Sequence, residues 1–129
     1  MNDLVARITN AIFRQEGMPA DYTNPGNLRA CPWLAGTPYG KIIPMQNGFW
    51  LPPTRAQGVA GAQHVVALHI AEGNTLAQLI SIWAPASDNN NTVAYIANVK
   101  NWAGILDENT PLWEYIEDPP AVLIQPCAT

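Results

Sequence analysis

Apolar residues recur at spacings of three and four between positions 3 and 16: Leu4, Val5, Ile8, Ala11 and Ile12, continued by Gln15, share one stripe. That period predicts an amphipathic helix packed by one face. Asn2 or Asp3 can cap its start, and Gly17 followed by Pro19 ends it. Glu16 therefore falls in the last turn, where unpaired carbonyls make the helix end negative and a carboxylate gains nothing locally. An acid in that place raises the question of its purpose.

The pattern then breaks. From 18 to 54, prolines and glycines are interspersed with Tyr22, Trp33, Tyr39, Phe49 and Trp50, and no helical period outlasts a turn, which predicts an irregular lobe. Alternating pieces at 41–45 and 47–51, punctuated by Gly40 and Gly48, predict a small hairpin within it. Helical patterning resumes at Thr54, whose hydroxyl can cap the following segment. Val59, Gln63, Val66, Leu68 and Ile70 read as the inner face there, Gly58 and Gly61 as points of close packing, and Gly73 as the stop. A third helix runs from Asn74 or Thr75 to the break at Pro85. A fourth comes after the Asn-rich run at 87–91 and carries Val93, Ile96, Ala97 and Val99 through Trp102 to Gly104. Thr110 as cap and Pro111 at the first helical position predict a short fifth, with an extended tail after it. The expected class is mostly α (α+β): an N-terminal helix, an irregular lobe with a small hairpin, then three to four helices, with a cleft between lobe and helices.

A chain of 129 residues is long enough for one core and too short for two ordinary domains, so 1–129 reads as a single domain. Charged residues are only 12% of it, against about 25% in typical soluble domains. Polarity is carried instead by twelve Asn, six Gln and eight Thr, which suits an uncharged ligand rich in hydroxyls and amides. The formal net charge of −4 lacks the positive field that draws proteins to phosphate backbones, which argues against nucleic acid. No apolar run reaches the roughly 20 residues of a membrane span, and the first residues do not resemble a secretory signal. Cys31 and Cys127 could pair in an oxidising compartment or remain two unrelated thiols.

Several chemistries drop out on spacing. His64 and His69 lie five apart on one helix, about 500° of rotation, so they do not share a face as metal ligands would, and the cysteines form no CxxC. Neither a metal nor another cofactor is expected. Ser81 and Ser87, the only serines, sit in no nucleophile motif, and no phosphate-binding loop occurs. Glu16 remains, followed by a Pro/Gly/Asn loop that must fold back over it. Burial there would raise its pKa and make it a proton donor near neutral pH. The bland alternative is a solvated helix-terminal acid. Trp33, Tyr39, Phe49 and Trp50 could stack on sugar faces or pack into the core, and Trp83 and Trp102 read as core. Asn90-Asn91-Thr92 matches a glycosylation sequon, but a helix cap is the simpler use.

Three blocks together resemble the lysozyme-like superfamily, nearest to soluble lytic transglycosylases and small phage-associated muralytic domains. They are the helix ending in Glu16-Gly17, the segment NPGNLR at 24–29, and GNTLAQLISIWAPASDNNNTVAYIANV at 73–99. The resemblance implies Glu16 as general acid and Tyr95 as an aromatic hydroxyl bonded near it. It further implies that Asn24, Asn27 and Arg29 line or brace the cleft, and that one of Asn90 and Asn91, both in the turn before Tyr95, matches the family's residue there, which makes both substrate-binding candidates. Tyr39 joins these as a substrate-binding candidate. The Gly-Leu-Met-Gln segment of many transglycosylases is missing, with NPGNLR in its part of the chain. The activity implied by the resemblance is that of a monomeric enzyme cutting the β-1,4 bond between N-acetylmuramic acid and N-acetylglucosamine in a peptidoglycan strand. It would act as a virion component or be released through a holin. Asp21 is either a turn residue or the holder of a hydrolytic water. The rivals are a glycan-binding virion protein of the same fold that does not cut, and a chitin-active hydrolase.

Overall fold

The computed structural model describes residues 2–29 and 48–116. Tyr39, Trp33, Cys31, Cys127, the 41–45 half of the expected hairpin and the tail at 119–127 lie outside the described residues. Within them, four α-helices succeed one another: α1 (Asn2–Glu16), α2 (Arg55–Ala71), α3 (Leu76–Trp83) and α4 (Thr92–Ala103). A 3₁₀ turn at Ala86–Asp88 joins α3 to α4, and another at Leu112–Tyr115 comes after α4. The protein is mostly helical, and no strand or sheet forms among the described residues. Extended pairing is confined to two isolated antiparallel bridges, Arg29 with Phe49 and Thr75 with Pro111. Phe49 thus pairs with the end of the NPGNLR segment.

α1 packs on both α4 and α2, and α4 packs on α3. The stripe of α1 is the centre of this arrangement: Leu4, Val5, Ile8, Ala11 and Ile12 are all buried, with Ile70, Leu76, Leu79, Ile80, Val99 and Leu112 around them. Polar contacts set the register of α1 on α4. Arg7 donates from Nη1 to the Ala103 carbonyl at 2.8 Å, satisfying a terminal acceptor of α4, and Asn98 donates to Gln15 Oε1 at 2.9 Å. Arg14 lies over the Trp102 ring at 4.2 Å, which leaves Trp102 half-buried at the rim of the core.

The helix starts obey capping chemistry. Thr54 accepts from Gln57 N, Asn91 accepts from Ala94 N, and Thr75 with Gln78 forms a reciprocal capping box. Two helix faces differ from expectation. In α2 the buried residues are Gly58, Gly61, Ala62, Val65, Val66, His69 and Ile70, whereas Val59, Gln63 and Leu68 are only half-buried. Small size selects this face: a methyl at Gly58 would overlap the Thr23 carbonyl, and one at Gly61 the Trp50 ring. In α4 the inward residues are Tyr95, Val99 and Ala103, Val93 is 80% exposed and Ala97 is exposed. The expected fifth helix is the 3₁₀ turn, preceded by Pro111 and without a side-chain cap, while Thr110 bonds back to Asp107. Trp50 is core, seated on α2 at Gly61.

Candidate functional site

α1 ends by handing the chain to Gly17, which adopts a left-handed φ of 61°. The segment after it turns back to residues 24–29 and closes over the helix end. Asn24 makes that turn possible. Fully buried, it donates to the carbonyls of Leu28 (2.9 Å) and Trp50 (2.7 Å) and accepts from Leu28 N (2.9 Å). Its amide is thereby engaged at both ends, so of the two roles expected for Asn24, lining or bracing the cleft, the structure shows the brace. Gly26 sits where a side chain would crowd Phe13 and Trp83, and its carbonyl accepts from Trp83 Nε1 at 2.9 Å. The loop is thus pinned to the end of α3. Asn27 comes next with φ 48°, a left-handed conformation that Asn tolerates better than most side chains.

These constraints leave a cleft of about 180 Å³ with Glu16 in its wall. Tyr95, in the first turn of α4, donates its hydroxyl to Glu16 Oε2 at 2.7 Å across a sequence separation of 79. Asn27 lines the same cleft, and its side chain favours the charged form of the carboxyl. Burial raises the Glu16 pKa above the ordinary carboxylate value, and the bond from Tyr95 and then the Asn27 side chain oppose that rise without cancelling it. The Tyr95 phenol is pushed up by burial and by the nearby Glu16 charge, so it stays protonated and remains a donor. A partly sheltered carboxyl with a raised pKa, fixed by a buried donor and open to a cleft, is suited to giving and retaking a proton.

The other lining residues come from several parts of the chain. Asn27, Arg29 and Asn90, the candidates implied by the resemblance, are among them. Asn90 also donates to the Pro85 carbonyl at 3.1 Å. Asn91 is not: it is exposed and occupied in capping α4. Asp21 is exposed and does not line the cleft. Phe49 does, whereas its neighbour Trp50 has gone into the core. Trp83, read as core, is mostly buried yet forms part of the wall.

Asp88 is the charged lining residue that sequence reasoning missed. Its Oδ2 accepts from Arg29 Nε at 2.7 Å, and the Arg29 guanidinium lies 4.6 Å from the centre of the Phe49 ring. Asp88 lies in a Ser/Asp/Asn run that reads only as a turn, and its partner is 59 residues away. The one available signal was Arg29 itself, the only basic residue of the NPGNLR segment. Among the described residues no group of three or more His, Cys, Asp or Glu side chains is placed to hold a metal ion. No described helix is long and apolar enough to cross a membrane.

Compared with known proteins, the chain matches no family model, no curated protein and no solved structure.

Proposed function

We propose that this chain is a lysozyme-like glycosidase that cleaves the β-1,4 bond between N-acetylmuramic acid and N-acetylglucosamine in peptidoglycan, with Glu16 as general acid and base. The observation that carries this reading is the Glu16 carboxyl: raised in pKa by burial, bonded by the Tyr95 phenol and facing a cleft. The three sequence blocks that resemble the lysozyme-like superfamily contribute residues to this one cleft, which supports the same reading. The amides of Asn27 and Asn90 are of the type that meets N-acetyl and hydroxyl groups, and Phe49 supplies an aromatic face.

The proton inventory favours a one-acid course. Glycosidases that use two carboxylates place both beside the bond, one free to act as nucleophile or base. Here the only other carboxylate among the described lining residues is Asp88, which is ion-paired with Arg29. With Glu16 alone, the protonated acid gives its proton to the bridging oxygen as the glycosidic bond breaks. The resulting carboxylate then takes the proton of the muramyl C6 hydroxyl, whose oxygen closes on C1 to form a 1,6-anhydro ring. Glu16 ends protonated again and no water is consumed. Tyr95 holds the carboxyl in one orientation through both transfers and gives up no proton of its own.

Digestion of purified cell walls tests this reading. The wild-type protein should clear the suspension, Glu16→Gln should bind walls without clearing them, and mass spectra should show anhydro ends one water lighter than reducing ends. Equal clearing by both proteins would remove Glu16 from the chemistry. Binding without clearing by both would make the protein a glycan-binding part, such as a virion component. Cleavage of chitin oligosaccharides but not of walls would make it a chitin-active hydrolase.

A further inference from the structure

Arg29 is the only cation among the described residues that line the cleft, and three of its contacts bear on its place there. Its backbone bridges that of Phe49, its guanidinium lies 4.6 Å from the centre of the Phe49 ring, and its Nε–H donates to Asp88 at 2.7 Å. Two of the three do not involve Asp88: the bridge fixes the Arg29 backbone, and the Phe49 ring lies against its guanidinium. Asp88 ends a three-residue 3₁₀ turn that passes into Asn89 with φ 65°. The two side chains are 37% and 27% exposed for Arg29 and Asp88 respectively, which keeps their attraction weak enough for another carboxylate to compete. A guanidinium also presents its N–H groups as a planar fork that matches a carboxylate.

We infer that Arg29 and Asp88 form an exchange subsite for one carboxylate carried by the ligand: the incoming group takes over the guanidinium and Asp88 turns to solvent. This rests on the glycan reading of the cleft and deepens it, because it separates an acidic glycan from a neutral one. The carboxylate has two sources in a muramyl strand, the lactyl group of a strand stripped of peptide and the free carboxyls of peptide stems. A polymer of N-acetylglucosamine has neither.

Calorimetric titration of the Glu16→Gln protein, which leaves ligand uncut, tests the exchange with three tetrasaccharides: neutral chitotetraose, a peptide-stripped muramyl strand, and the same strand with its peptides. One of the charged ligands should bind about tenfold more tightly than the neutral one at low salt. Adding Arg29→Gln should erase that preference, and adding Asp88→Asn should strengthen the charged ligand several-fold while leaving the neutral one unchanged. Tighter binding of the stripped strand assigns the lactyl group, and tighter binding of the peptide-bearing strand assigns the stem. A preference that survives Arg29→Gln, or a charged ligand weakened by Asp88→Asn, overturns the subsite. A second measurement uses the unaltered protein: lactate should shift the Arg29 Nε–H resonance saturably, and chloride at equal ionic strength should not. An unmoved resonance overturns the subsite even where sugars bind. A moved one with no saccharide binding keeps the subsite and removes the glycan reading.

Discussion

The two walls of the cleft are held by opposite means. On one, Glu16 and Tyr95 hang from the ends of α1 and α4, helices packed on each other, and a buried phenol meets a partly buried acid. On the other, Arg29 comes from a loop and Asp88 from a 3₁₀ turn, and they meet as a pair that water reaches. A hydrogen bond in a low-dielectric shelter is strong and little affected by salt. An exposed ion pair is worth about 0–1 kcal/mol and is screened over about 10 Å at 0.1 M salt. The first wall therefore fixes the orientation of an acid, and the second presents a charge whose partner can change.

Removing the acid should break the first wall most sharply. Glu16→Gln should lower wall cleavage by about 10²–10⁴-fold, the usual weight of a positioned general acid. The same variant has a stability signature that needs no substrate. Because burial raises the folded-state pKa of Glu16, its protonated form is the one the fold favours. Stability from that preference is complete below the unfolded value of 4.5 and is lost as pH rises through the folded value. Glu16→Gln should therefore melt higher than wild type at pH 7 and no higher at pH 4, read by calorimetry.

Gly58→Ala attacks what both walls share, the seating of the loop on α2. The added methyl meets the Thr23 carbonyl, and overpacking against backbone should cost about 1–3 kcal/mol in urea unfolding. His69 serves as a control away from both walls. It is buried, its Nδ1 lies 2.8 Å from the Asn74 amide nitrogen, and burial lowers its pKa from 6.5 to about 4. In that window the unfolded chain binds the proton and the folded one does not. Stability should thus fall by about 2 kcal/mol as pH drops from 6.5 towards 4, and His69→Gln should flatten that slope while leaving the Glu16 signature intact.

Tyr95→Phe sharpens the contrast rather than breaking it. Loss of one hydrogen bond, about 1.4 kcal/mol, should cost about tenfold in rate. Since that bond lowers the Glu16 pKa, its removal should move the high-pH limb of activity upward. The smallest effect belongs to the other wall: a double-mutant cycle of Arg29→Gln and Asp88→Asn should give a coupling below about 1 kcal/mol that fades with added salt. A coupling of several kcal/mol, unchanged by salt, would erase the distinction between the walls.

How much of this was legible depended on which forces placed each residue. The α1 stripe was readable because five apolar side chains share one face and their period is unambiguous. Thr54 was readable because a cap acts within three residues, and the same reach narrowed the next helix start to Asn74 or Thr75, of which Thr75 is the cap. The inner face of α2 was not: its sequence is apolar on nearly every side, so periodicity has little contrast, and the face is chosen by where Trp50 and the Thr23 carbonyl need room. In α4 hydrophobicity favoured Val93 over Tyr95, yet Tyr95 turns inward to bond an acid 79 residues away. Asp88 was invisible for the same reason: an ion pair closed by tertiary structure leaves no local pattern. At the site, the Glu16–Tyr95 association came from resemblance, while Asn24 and Asn91 show that amide-rich sequence does not separate residues that meet a ligand from those that hold backbone.

Glu16 owes its aim to its phase along a helix whose buried stripe is fixed upstream. One extra residue between Ile12 and Glu16 would leave Ile8 and Ile12 seated but swing the carboxyl about 100° around the axis and carry it about 1.5 Å further along. Insertions and deletions in the last turn of α1 thus part Glu16 from Tyr95 without unseating the helix, whereas exchanges on the outer surface of the same helix leave its aim untouched.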